Sequence, residues 1–119
     1  MDGFLDEFNQ AWLNIDFGQG RADFLIDTGF SGTLIIGEEL FDASRSIPAG
    51  FVDSTLAAGQ SHRYERFDLS LEWLGVPVRL FVLVGPGTEC LIGTDLFLPH
   101  RLEIDYDLRT VRLHRSSVW

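Results

Sequence analysis

The chain contains no lysine: all nine of its basic residues are arginine. That absence removes Schiff-base catalysis and the phosphate-binding P-loop, both of which need a lysine amine. Positive charge is scarce altogether, with nine arginines against 18 acidic residues and a net charge of -9 at pH 7. Nucleic-acid phosphates and anionic lipid surfaces both select clustered positive charge. Neither a nucleic-acid nor a membrane partner is therefore expected. A single cysteine, Cys90, leaves no intrachain disulfide and no sign of an oxidising compartment. Long hydrophobic runs are missing too. The longest, Leu80 to Val84, falls far short of the ~20 residues of a membrane-spanning helix. Met1 to Phe8 carries Asp2, Asp6 and Glu7 and lacks the basic and apolar regions of a signal peptide. The cytoplasm is the expected location. His62, His100 and His114 are scattered without the spacing of a zinc site, so no metal is expected, and no organic cofactor is implied.

What is present is apolar material in short pieces. Hydrophobic residues make up 45% of the 119 residues, including 10 Phe, 3 Trp and 2 Tyr. This suffices for one compact core, and residues 1–119 are expected to form a single domain. A cleft between two lobes would need a second chain. Strand signals dominate. Trp12 to Phe17 ends at the turn Gly18-Gln19-Gly20, and Ala22 to Ile26 follows as its hairpin partner. Thr33 to Ile36 reads as a buried strand, Glu38 to Asp42 as one helical turn and Ser44 to Gly50 as loop. Phe51 to Leu56 and Arg63 to Phe67 flank a small-residue tip, Ala57-Ala58-Gly59-Gln60-Ser61. Asp68 to Trp73, Val78 to Val84, Cys90 to Ile92 and a last hairpin, Leu102 to Tyr106 with Thr110 to Leu113, complete the strands. Thr94 is placed to cap one short helix, which Pro99 would end. The expected class is all-β, closed or sandwiched.

The residues that carry chemistry are Phe24-Leu25-Ile26-Asp27-Thr28-Gly29-Phe30-Ser31-Gly32. An acid directly after three large apolar residues leaves a strand where the chain turns, and its carboxylate is expected near the core. Burial disfavours an ionised carboxyl. Thr28 is suited to bonding nearby backbone, and Gly29 to a tight loop. Asp-Thr-Gly also occurs in ordinary turns.

Together with two later features, this segment resembles the active-site loop of aspartic proteases of the retropepsin and pepsin clan. The second clan signature is an apolar pair followed by Gly, and Leu91-Ile92-Gly93-Thr94-Asp95-Leu96 matches it. The tip Ala57, Ala58, Gly59, Gln60, Ser61 lies between the two, where retropepsins place their flap. The pattern is similar to the small prokaryotic single-domain members and covers roughly residues 11 to 114. The resemblance implies a closed retropepsin-like β-barrel with one short C-terminal helix. It implies an endopeptidase active as a homodimer, with one Asp27 from each chain and an extended polypeptide as substrate. The terminal strands, Leu102 to Leu113 and Trp12 to Phe17, are its candidate interface.

The chain departs from the pattern at Phe30, where retropepsins carry a small residue. The ring is expected either to fill a substrate pocket or to pack into the core. Retroviral enzymes also pair an Asp and an Arg at the places of Ser31 and Thr94, and here both are absent together. A haloacid-dehalogenase-type phosphatase needs an acid where Gly29 stands, and a lysine. A catalytically silent peptide-binding or dimerisation module of the same fold is the alternative reading. Among single residues, His62 is read as a solvated loop histidine, Tyr64, Trp12 and Trp73 as packing, and Cys90 as an inert core thiol. Asp95 is read as helix-start electrostatics, and Arg109, Arg112 and Arg115 as a solvated strand face.

Overall fold

The computed structural model describes residues 1–55 and 61–119. Its strands are β1 (Asp2–Leu5), β2 (Ala11–Asp16), β3 (Arg21–Ile26), β4 (Leu34–Gly37), β5 (Ile47–Thr55), β6 (Ser61–Trp73), β7 (Val76–Gly85), β8 (Leu91–Ile92), β9 (Arg101–Asp105) and β10 (Thr110–His114). They form one sheet in the order β5-β6-β7-β4-β8-β3-β2-β1-β10-β9. Period-two alternation drives this arrangement. In β2, Ala11, Leu13 and Ile15 are buried while Asn14 and Asp16 face solvent. In β6, Phe67, Leu69, Leu71 and Trp73 point inward. Together with Phe24, Leu34, Ile36, Val82, Ile92, Val111 and Leu113 they make the apolar core. The Trp73 indole N–H, buried with its ring, donates to the Leu96 carbonyl at 3.0 Å.

The all-β expectation holds, and two finer expectations do not. A barrel closes only when its terminal strands pair with each other. Here β5 and β9 end the sheet as separate edges, so among the described residues it is not closed. The expected short C-terminal helix is a single 3-10 turn, Thr94–Leu96. Gly93 rather than Thr94 takes the cap position, with no side-chain bond. Pro99, soon after, has no N–H with which to continue a helix.

Boundaries also differ where partners are distant in sequence. β1 was not anticipated; it is held between β10 and β2, with Gly3 opposite Val111 and Phe4 opposite Trp12. A Cβ at Gly3 would overlap the Trp12 carbonyl oxygen, so the close approach requires glycine. Asp68 to Trp73 is not a separate strand but the continuation of β6, paired along its length with β7. β5 begins at Ile47 inside the expected loop, with an irregularity between Pro48 and Phe51. An edge strand tolerates Pro48 because its outward side needs no N–H. The helical turn expected at Glu38 to Asp42 is a tight turn, followed by a 3-10 turn at Ala43–Arg45 that the Asp42 carboxylate caps through Ser44 N.

Phe24 is fully buried and meets Phe17 edge-on, with ring centroids 6.0 Å apart. Phe24→Ala should cost about 3–5 kcal/mol of stability. Urea unfolding measures it, and a loss below about 1 kcal/mol would place the core elsewhere.

Candidate active site

The end of β3 and the start of β8 are laid side by side. They pair in parallel, Leu25 with Leu91 and Ile26 with Ile92. Leu25 N donates to Cys90 O at 2.9 Å, and Asp27 N to Ile92 O at 3.0 Å. The two sequence signatures, some 65 residues apart in the chain, thus share one ladder. Alternation along β3 sends Phe24 into the core and puts Leu25 and Asp27 on the opposite face. The carboxylate is therefore half-buried on the outer face of the sheet, not near the core as the sequence suggested.

The loop after Asp27 is tightly tied. Its first turn closes through Phe30 N donating to Asp27 O at 3.1 Å. Gly29 N donates to the Asp27 carboxylate Oδ1 at 3.0 Å. The second signature then grips the rest: Thr94 N donates to Phe30 O at 2.9 Å, Asp95 N to Gly32 O at 3.2 Å and Gly93 N to Thr33 O at 2.8 Å. The Thr94 hydroxyl reaches the same Phe30 carbonyl at 3.4 Å. These bonds stand where the retroviral ion pair is missing.

Gly29 has a different part from the one expected. Its backbone is not in the left-handed region, so no conformational freedom is used. An added Cβ would meet only the Asp27 carboxylate oxygen, at 3.3 Å. The glycine keeps the carboxylate uncovered. Thr28 and Ser31 are exposed, so Thr28 has its hydroxyl at the surface of this chain. Phe30 lies across its own loop: a Cβ at Gly32 would stand 2.5 Å from the ring, and one at Gly93 2.6 Å. The ring neither enters the core nor stands free. It forms one wall of an open pocket of ≈ 250 Å³ with Phe81, Leu83 and Asp95.

In the second signature, Leu91 is half-buried, Ile92 and Gly93 are buried and Asp95 is exposed. Of the expected flap, Ser61 opens β6 opposite Thr55; Ala57, Ala58, Gly59 and Gln60 lie outside the described residues. Sequence reasoning missed a second pocket of ≈ 220 Å³, lined by Ile35, Tyr64, Gly85, Leu91, His62 and Glu89 among others. His62 is not a solvated loop residue: it lies on β6, half-buried, its ring edge-on to Tyr64 at 4.6 Å. Cys90 is buried, and burial pushes its thiol pKa up, against a smaller opposite effect of the Gly37 backbone. An unreactive thiol follows. Arg109, Arg112 and Arg115 turn to separate partners, Asn9, Asp2 and Trp119.

No protein-family model and no curated protein sequence matches the chain. Among solved structures it is similar to a retropepsin-like aspartic protease from Rickettsia conorii, with a TM-score of 0.65. The match covers 95% of this chain and 88% of that one, at 19% identity. The fold is retropepsin-like. Identity at this level speaks for the architecture, and the retropepsin-like fold accounts for the meeting of the two signatures in one ladder.

Gly93 is the tightest point of that meeting, since a Cβ there would overlap the Gly32 carbonyl oxygen. Gly93→Ala should push the Asp27 loop outward and cost about 1–3 kcal/mol. Thermal unfolding of this variant beside Gly29→Ala checks it; equal effects at both glycines would contradict the packing account.

Proposed function

We propose that the chain is one half of an aspartic endopeptidase, completed by a second copy. The observation that carries the reading is the Asp27 carboxylate, which accepts from the Gly29 amide on an uncovered face, while the Asp27 backbone N–H donates to Ile92 O of the second signature. One carboxylate cannot act alone as both acid and base. Two, brought together by a two-fold axis, share a proton because both cannot ionise at close range. The ionised Asp27 takes a proton from water, which attacks the peptide carbonyl. The protonated one polarises the carbonyl oxygen, and the leaving nitrogen is protonated as the bond breaks. The apparent pKa values belong to the pair. Exposed Thr28 is available to bond its mate across the axis, and the tip between β5 and β6 to cover the peptide.

The interface expectation narrows. β2 is already paired on both sides, with β1 and β3, so it offers no free edge for strand addition. β9 is an edge, beside β10, and is the better candidate. A silent peptide-binding module was favoured by the chance that Phe30 blocks the cleft. The ring rests on Gly32 and Gly93 and lines a pocket instead of standing free, which supports the enzyme over the silent module.

Asp27→Asn should leave folding intact and lower peptide-bond hydrolysis by about 10²–10⁴-fold or more. Cleavage of a peptide library measured with both proteins tests this, and turnover that survives the substitution removes the mechanism. Assembly should also respond to pH. Each chain carries a net charge of -9 at pH 7, so two copies repel each other, and carboxylate protonation relieves the repulsion. Dimer fraction and activity should both rise from pH 7 to about pH 5. Sedimentation showing no change, or the reverse, counts against it.

A further inference from the structure

We propose that the Glu89 pocket selects a cationic side chain, arginine or lysine, of the polypeptide. The inference rests on the endopeptidase reading and names the substrate class. Position is the first argument. Leu91 is the cross-strand partner of Leu25 on one side and of Ile35 on the other. Leu25 and Asp27 are two residues apart and share a face. The pocket therefore opens on Asp27's side of the sheet, its lining running from β8, the neighbour of β3, across β4 and β7 to β6. A polypeptide laid across that face would place one side chain in it.

The chemistry of the lining is the second argument. Ile35 and Tyr64 are 7% exposed and form its floor with Gly85. A Cβ at Gly85 would come within 3.1 Å of the Tyr64 ring and 3.3 Å of Ile35, so glycine there leaves the floor open. Leu91 adds an apolar wall and His62 an aromatic edge. Glu89 is the only carboxylate on the lining, it is exposed, and among the described residues no arginine pairs with it. A largely apolar pocket with an exposed, unpaired carboxylate on its lining suits a long aliphatic stem with a charged head. Tyr64 and His62 are the other titratable groups on the lining; neither carries a fixed positive charge.

The companion pocket beside Phe30 lacks this character although Asp95 lines it. The Arg66 guanidinium lies 4.7 Å over the Phe81 ring and brings a cation of the protein's own to that wall. Cation selection is thus assigned to Glu89 and not to Asp95. The chain's net charge of -9 draws basic polypeptides to the surface in the same sense.

The test uses the whole chain at about pH 5, where the dimer fraction is expected to be highest. Cleavage sites of a peptide library are profiled with the unaltered protein, Glu89→Gln and Glu89→Lys. In parallel, paired peptides differing only by arginine or norleucine at one position are titrated against Asp27→Asn, with and without Glu89→Gln. The arginine peptide should bind about two- to fivefold tighter, the size of one exposed ion pair. Glu89→Gln should erase that gap, and Glu89→Lys should turn the cleavage preference towards acidic residues. Asp95→Asn should leave the preference unchanged. Cleavage with no cation preference, or a preference that survives Glu89→Gln, overturns the assignment while the endopeptidase stands. Glu89-dependent binding without any cleavage upholds the pocket and removes the hydrolase. Neither binding nor cleavage removes both.

Discussion

The structure turns on a two-residue parallel pairing. β8 is only Leu91–Ile92, yet it joins β3 to β4 and closes the middle of the sheet. Without it Asp27 would hang from the end of a hairpin. With it, the Ile92 carbonyl fixes the Asp27 amide, and the next three residues bind the loop that follows. So few residues suffice because Ile92 is fully buried between Leu34 and Ile26. An apolar anchor holds the ladder in register, and register decides which face a side chain takes.

The same constraint explains the glycines and the one unusual residue near the site. Loop and turn approach each other so closely that Gly32 and Gly93 have no room for a Cβ. Phe30 uses that space. Its ring lies on a surface made of backbone, where smaller residues would leave the loop's carbonyl bonds open to water. The hydrogen bonds from Thr94, Asp95 and Gly93 then take the place of a side-chain ion pair. Backbone donors have a fixed geometry and require no desolvation of a full charge. An acidic chain without lysine can hold its candidate site this way without using any of its nine arginines.

The sheet separates two duties by face. One side of β4, β6, β7 and β8 carries Leu34, Ile36, Phe67, Leu69, Val82 and Ile92 into the core. The other carries Ile35 and Tyr64, which are buried, and Leu83 and Leu91, which are partly covered, and the two pockets lie there. The central strands are apolar on both faces, as β4 shows with four buried residues in a row. A soluble sheet edge would alternate more strictly. Apolar residues on the Asp27 face line the two pockets.

Much was legible in sequence where the signal is local. The β2–β3 hairpin follows from Gly18 and Gly20, both in the left-handed region, the burial of β4 and of Ile92 follows from their apolar runs, and β10 alternates with Val111 and Leu113 inward. Asp27-Thr28-Gly29 and Leu91-Ile92-Gly93 could be matched as motifs because each is continuous. The rest depends on partners far along the chain. β1 is a strand because β10 and β2 accept its backbone; its own residues are too few to signal one. β6 runs unbroken through Asp68 because β7 pairs with it throughout. Asp27 is half-exposed rather than buried because β8 sets the register of β3. Glu89 gains its place from Ile35, Tyr64 and Leu91, brought from three strands. Sequence alone determined composition, charge, the strand alphabet and the two motifs, since these reside in neighbouring residues. Tertiary structure decided faces, edges and the geometry around Asp27, since side-chain direction in a sheet is fixed only when distant strands pair.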